Sequence, residues 1–331
     1  MKRRALVFTG PRRVEILEES GAAPSGNQVL VRTRYSGISA GTELMIYRGE
    51  APADMPADRN LPALSGTLGF PLRFGYAAVG EVVALGPQAP PELQDTAVFA
   101  FHPHASDFLV SAEEVIPLPN NLPLEAALFL PNMETAINFL HDGAPLAGER
   151  VVVFGQGVVG LLTTALLGRI PLSSLVTVDR YPKRREASLS FGAQRSLDPT
   201  EMQGLQGQAD LTYELSGDPA GLSQAITATG YDGRVVLGSW YGTKRAELEL
   251  GGSFHRSRIR LLSSQVSTIS SQLSGRWNKR RRLDFALQMI RAIQPARLIT
   301  HRFPFEHAAD AFALLAEHPE QTLQVILTFE G

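Results

Sequence analysis

Val151-Val152-Val153-Phe154-Gly155-Gln156-Gly157-Val158-Val159-Gly160, followed by Leu175-Val176-Thr177-Val178-Asp179, reads as a buried strand, a glycine turn, a helix start and a second strand ending in a carboxylate. Each glycine has its own task. Gly155 permits the tight reversal from strand to helix, Gly157 lets backbone approach a pyrophosphate, and Gly160 lets helix and sheet pack closely. Phosphate charge would rest on the free amides of the helix start at Val158 and Val159. Asp179 stands at roughly the 20-residue offset where a carboxylate accepts ribose hydroxyls and repels a 2′-phosphate. The pattern predicts a dinucleotide cofactor, NAD rather than NADP.

The 331 residues leave room for two domains, and 44% hydrophobic with 19% charged residues is the balance of a globular protein. A net charge of −2 gives no reason to expect nucleic acid or an anionic membrane surface as partner. No apolar run reaches the roughly 20 residues that span a bilayer. Met1-Lys-Arg-Arg leads directly into a strand-like Ala5-Leu-Val-Phe rather than a signal-peptide core, so a cytoplasmic location is expected. Cysteine is absent, which excludes disulfides, thiolate nucleophiles, iron–sulfur clusters and thiolate zinc sites.

The first 120 or so residues carry short alternating strands, such as Gln28-Val-Leu-Val-Arg-Thr-Arg and Ala97-Val-Phe-Ala-Phe, between proline-marked loops. Helices are expected at 124–130 and 134–141. Strands at 151–154, 175–178, 211–215, 234–237 and 259–263 then alternate with helical stretches, which implies right-handed crossovers and a parallel sheet. A serine-rich, then basic loop runs from Ser270 through Arg282. A helix at 283–293, a short strand, a helix at 305–315 and a closing strand at 323–329 complete the chain. There is no internal repeat.

Several landmarks together make the chain resemble the medium-chain dehydrogenase/reductase superfamily over nearly its whole length. They are Gly37-Ile-Ser-Ala-Gly-Thr-Glu43, Gly75-Tyr-Ala-Ala-Val-Gly80, the glycine turn, Phe191-Gly-Ala193 and Phe305-Glu-His-Ala-Ala-Asp-Ala-Phe312 with Val325-Ile-Leu-Thr-Phe329. The resemblance implies an α/β protein: a GroES-like β-rich catalytic domain, residues 1–133 and 269–331, interrupted by a Rossmann domain with a doubly wound parallel sheet, residues 134–268. It further implies hydride exchange between a nicotinamide and an alcohol or ketone, and a homodimer paired near residues 259–266. Ser36-Gly-Ile-Ser39, Glu214-Leu-Ser-Gly-Asp218 and Gly238-Ser-Trp-Tyr241 look most like the branch that holds bacteriochlorophyllide a dehydrogenase.

The departures bear on the chemistry. Zinc enzymes of the superfamily place cysteine where Ser39 stands, a His-Glu pair where Tyr76-Ala77 stands, a cysteine or glutamate near Pro131, and a proton-relay histidine at Met45. A four-cysteine structural zinc lobe is missing as well. Hydroxyls are poor zinc ligands at neutral pH, so no metal is expected and protein groups must handle the proton.

The candidates for that work are Tyr76 as donor to the reacting oxygen, Ser39 and Thr42 as a relay, His102 as acid or base, and Glu134. Each has a plain alternative: filling the ion's volume, capping a turn, lining a loop, or offsetting a helix dipole. His102 and His104 flank Pro103, which favours a loop over a metal-binding strand. On the cofactor side stand Asp179, Arg180, Arg184, Ser216, Gly217, Gly238, Ser239, Trp240 and Thr135, with Gln324 replacing a pyrophosphate arginine of some relatives. Arg276-Trp-Asn-Lys-Arg-Arg-Arg282 suits an anionic substrate or a subunit contact. Three further functions stay open: the bacteriochlorophyllide enzyme itself, a zinc-free quinone or enoyl reductase, and a silent dinucleotide-binding regulator.

Overall fold

A computed structural model describes residues 2–330, which divide into two compact units, Met1–Pro131 with Ile290–Gly331, and Asn132–Met289. Each cut falls inside a helix. Segment 269–289, expected from the sequence with the catalytic domain, clusters with the second unit.

The first unit starts with an antiparallel hairpin, β1 (Lys2–Gly10) and β2 (Arg13–Ser20), turned at Arg12 with φ of 57°. There follow β3 (Gln28–Ile38), α1 (Thr42–Tyr47), β4 (Ala78–Leu85), β5 (Ala97–Ala100), β6 (Asp107–Ser111), β7 (Val115–Pro117) and α2 (Leu124–Ala127). Alternation along the strands sends Val29, Val31, Val82, Val98, Phe108 and Val110 into one core. Each such fully buried side chain is worth on the order of 1.5–3 kcal/mol.

Helix α3 (Leu130–Gly143) leads into the second unit. Its elements are β8 (Arg150–Phe154), α4 (Val158–Leu167), β9 (Ser174–Val178), α5 (Pro182–Ser190), β10 (Arg195–Leu197), β11 (Ala209–Glu214), α6 (Pro219–Ala228), β12 (Thr229–Leu237), β13 (Arg260–Ser263) and α7 (Lys279–Ile293). All six strands are parallel, in the order β10-β9-β8-β11-β12-β13. Both faces are covered, which is why β8 reads as an unbroken apolar run. Val152, Phe154 and Val178 face Leu222 and Ile226 of α6, while Val151, Val153 and Leu175 face Phe139 of α3 and Leu167 of α4. The strand order reverses between β8 and β11, and that reversal opens the crevice where such sheets bind ligands.

The chain returns to the first unit with β14 (Ile299–Pro304), α8 (Ala308–Glu317) and β15 (Gln324–Thr328). There β15 pairs with β3, closing a seven-stranded mixed sheet. Among the described residues no helix is long and apolar enough to cross a membrane.

One expectation needs correcting. The basic loop ends at Asn278, and Lys279–Arg282 form the first turn of α7. The Asn278 side chain caps that turn by accepting the Arg281 amide at 2.8 Å, and Arg282 turns inward to Glu134, so the helix starts one turn before its first buried apolar position, Leu283.

Candidate functional site

In the second unit the glycine turn is held in place by contacts that only glycine tolerates at two positions. Gly155 has φ of 88°, and a Cβ there would lie 2.6 Å from the backbone of Leu215 and Ser216, across the sheet reversal. At Gly160 a Cβ would lie 2.0 Å from the Gly155 carbonyl oxygen. Gly157 differs: it caps α4 in an extended conformation, and the nearest atom a Cβ would meet is Arg184 Nη1 at 4.0 Å. The space about it is open, beside the amides of Val158 and Val159 at the start of α4.

Asp179, at the end of β9, is buried and braces this turn. One carboxylate oxygen accepts the Gln156 amide at 2.7 Å and the other accepts the Tyr181 amide at 2.8 Å. Each oxygen keeps a lone pair for a further donor. The guanidinium carbons of Arg180 and Arg184 lie 5.0 and 4.8 Å from the centre of the Tyr181 ring. Gln156, fully buried, was overlooked in the sequence. Its amide donates to the Gly155 carbonyl at 3.1 Å and its oxygen accepts the Thr164 hydroxyl at 3.0 Å, tying the turn to α4.

Ser216 and Gly217 follow β11, and Gly238, Ser239 and Trp240 follow β12, all at the carboxyl ends of the parallel strands. The Ser239 hydroxyl accepts the Gly217 amide at 2.9 Å. A Cβ on Gly238 would lie 2.4 Å from the Phe139 ring. Beneath them the buried Glu214 accepts the Ser216 amide at 2.7 Å and the Tyr241 hydroxyl at 2.9 Å. Burial, then the Glu214 charge, pushes the Tyr241 phenol upward, so it remains a donor.

Glu134 and Arg282 form a buried pair within the second unit. Arg282 Nη2 donates to Glu134 Oε1 at 2.9 Å and its Nη1 donates to Asn138 at 2.6 Å. Burial, partly offset by Arg282, raises the Glu134 carboxyl. Arg282 is thus removed from the exposed basic surface that the sequence suggested, while Arg281 stacks on Trp277 at 4.2 Å. Thr135 lies half-buried on the next position of α3.

In the first unit the hydroxyl candidates come together. Tyr76 donates to Ser39 Oγ at 2.6 Å, and the Thr42 amide lies 3.4 Å from the same oxygen. Burial, with the Glu43 carboxylate adding to it, pushes the Tyr76 phenol up to about 12, against the pull of hydrogen bonds with Ser39 and Thr42. The phenol is therefore a proton donor at neutral pH.

His102 stands apart from this set, stacked 3.9 Å from the Phe108 ring with Nδ1 donating to the Pro103 carbonyl at 2.8 Å. Burial brings its pKa down to about 4, so it is an uncharged ring and a weak base. The fully buried His104 makes the polar contacts instead, with Nε2 at 2.7 Å from Glu43 and Nδ1 at 2.5 Å from Ser36. A Cβ on Gly75, whose φ is 127°, would meet the His104 ring at 2.9 Å. That packing gives a physical reason for glycine beside Tyr76.

These donors do not fit a zinc ion. Ser39 and Tyr76 offer two neutral hydroxyls already bonded to each other, and the chain has no thiolate to join them. Among the described residues no three His, Asp or Glu side chains gather as a metal site would require.

One unit with a Rossmann-type sheet and a glycine turn at its reversal, and a β-rich unit carrying a half-buried hydroxyl pair, define a two-domain nucleotide-dependent oxidoreductase as the class. No family model matches the chain. D-guloside 3-dehydrogenase of Escherichia coli is 22% identical to it over 98% of this chain and 99% of the relative. The 2-desacetyl-2-hydroxyethyl bacteriochlorophyllide A dehydrogenase of Cereibacter sphaeroides is 25% identical over 100% and 99%. Among solved structures, a short chain alcohol dehydrogenase from Escherichia coli complexed with NADH superposes with a TM-score of 0.78 at 20% identity, covering 99% of each chain. A putative zinc-binding dehydrogenase from Sinorhizobium meliloti bound to NADP does so with 0.79 at 18% identity, again covering 99% of each. The chain's relatives are zinc-type alcohol dehydrogenase-like members of the medium-chain dehydrogenase/reductase superfamily, and the chain is an oxidoreductase with that fold, GroES-like in the first unit and Rossmann in the second.

Proposed function

We propose that this protein interconverts an alcohol and a ketone or aldehyde with NAD(H) and without zinc. The observation that carries the reading is the Tyr76–Ser39 hydroxyl pair, standing where the resemblance puts two zinc ligands. A bound nicotinamide would supply the hydride chemistry. Gly155, Gly157 and Gly160 with the amides of Val158 and Val159 hold its pyrophosphate, and the strand ends at Ser216–Gly217 and Gly238–Trp240 border it. Tyr76 donates its proton to the carbonyl oxygen as the carbonyl carbon is reduced, and Ser39, with Thr42 beside it, relays a proton from solvent back to the phenolate, so that both hydroxyls end as they began. In the oxidative direction the same path runs backwards.

Asp179 supports NAD over NADP, because a carboxylate with spare lone pairs receives ribose hydroxyls and repels a phosphate. Replacing Asp179 with Asn removes the charge and keeps one oxygen acceptor, at the cost of one of the two backbone amides the carboxylate holds. NADH affinity is expected to fall about 10-fold, or about 1.4 kcal/mol, while NADPH affinity rises. Fluorescence titration with both nucleotides measures this, and an unchanged ratio would remove Asp179 as the discriminator. Turnover of an alcohol and ketone panel, including sugar and tetrapyrrole substrates, tests the reaction itself. Nucleotide binding without turnover on any of them would leave a silent regulator as the better reading. We place the protein in the cytoplasm as a homodimer that pairs through the edge strand β13, where Leu261 is exposed.

A further inference from the structure

Glu43 is fully buried, yet both of its oxygens have specific partners. Oε1 accepts the Ser39 amide at 2.9 Å, reaching back across the start of α1 in the manner of a capping-box carboxylate. Oε2 lies 2.7 Å from His104 Nε2. A carboxylate only accepts, so Nε2 carries a proton. On the far side of the ring, Nδ1 is 2.5 Å from Ser36 Oγ, and that hydroxyl is also 3.1 Å from the Ala77 carbonyl. The Ala77 carbonyl already accepts the Gly37 amide at 2.9 Å, which leaves the Ser36 proton able to turn toward either neighbour. Ser36, His104 and Glu43 have no solvent exposure, so the row cannot meet a substrate as a hydrolytic triad would. Its other end is Ser39, whose hydroxyl oxygen accepts a hydrogen bond from Tyr76.

We propose that Glu43, braced by His104 and Ser36, is the positioning residue of the hydroxyl site: it fixes Ser39 and so sets the direction in which Tyr76 offers its proton. The inference rests on the reading of Tyr76 as proton donor, but its physical content can be measured without a substrate. The row joins residues from β3, α1 and the segment after β5, so it holds the short helix α1 to the sheet at the point where the hydroxyls emerge. Glu43 is also the charge that faces Tyr76 from α1, with the His104 ring packed on Gly75 from the other side. A negative charge there disfavours the phenolate, and its removal must ease ionisation of Tyr76.

The test uses the full-length protein in three forms: wild type, Glu43→Gln and Glu43→Ala. Two readouts are taken by NMR, the hydrogen exchange of the Ser39 amide and the titration of Tyr76 labelled at its ζ carbon, assigned by Tyr76→Phe. In Glu43→Gln the amide oxygen still accepts from Ser39, with His104 turned to its other tautomer. Protection of the Ser39 amide should persist while Tyr76 ionises about one unit earlier. In Glu43→Ala the Ser39 amide should exchange about 10-fold faster or more, and Tyr76 should again ionise earlier. If Glu43→Ala does not fold, Glu43→Gln carries the titration alone. Wild-type exchange and an unmoved Tyr76 titration in the variants would overturn the proposal. Failure of Tyr76→Phe to alter turnover would instead refute the donor reading and leave these two readouts standing.

Discussion

Replacing Gly160 with alanine should abolish nucleotide binding and lower the stability of the second unit, whereas replacing Gly157 with alanine should abolish binding alone. The two glycines sit in one turn, three residues apart, but their surroundings differ. A methyl on Gly160 would overlap the Gly155 carbonyl oxygen at 2.0 Å, and neither partner is a side chain that can rotate away. Overpacking of this kind costs about 1–3 kcal/mol or more, and here it must be relieved by moving α4 off the sheet. A methyl on Gly157 meets nothing nearer than 4.0 Å, and the backbone there is extended, so folding is unaffected. In the proposed binding mode that methyl would occupy the space of the pyrophosphate. Thermal unfolding and NADH fluorescence on both variants separate the effects. Equal loss of stability in the two would contradict the assignment of the open face to a ligand.

Tyr76→Phe should reduce kcat about 100- to 10,000-fold, the usual worth of a positioned acid, and leave NADH affinity within about twofold. The phenol, held near 12 by burial and by Glu43, stays protonated throughout the physiological range. Loss of its hydroxyl leaves the carbonyl without that donor. Phenylalanine keeps the ring and its edge-on contact with Phe74, so folding should change little. Steady-state kinetics on the best carbonyl of the panel, with nucleotide titration alongside, gives both numbers. A kcat within threefold of wild type would mean that Tyr76 only fills volume, and attention would pass to Ser39 and Thr42.

The strand–glycine turn–helix was legible in the sequence because its determinants are local: Gly155, Gly157 and Gly160 fall within six residues, and the neighbouring strands announce themselves by apolar runs. β10 escaped notice because Arg195-Ser-Leu has one apolar side chain, too little for any periodicity. The first unit was harder to read for a different reason. Glu43 and His104 are 61 positions apart, and neither looks unusual in its own segment; only the fold brings α1 and the segment after β5 together. Glu43 could have been suspected from its place behind Ser39, where a carboxylate in the first turn can reach back to an amide. Arg282 was hidden by its neighbours, since three exposed-looking cations precede it, and the sequence does not say which of four will turn inward to Glu134.

Metal-free turnover is the property that separates this oxidoreductase from a zinc enzyme most directly. Protein purified with chelator, its zinc quantified by mass spectrometry, should reduce a panel carbonyl with NADH at full rate while holding far less than one zinc per chain, and added zinc should not raise the rate. Stoichiometric bound zinc, or activity that vanishes with chelation and returns with the metal, would contradict it.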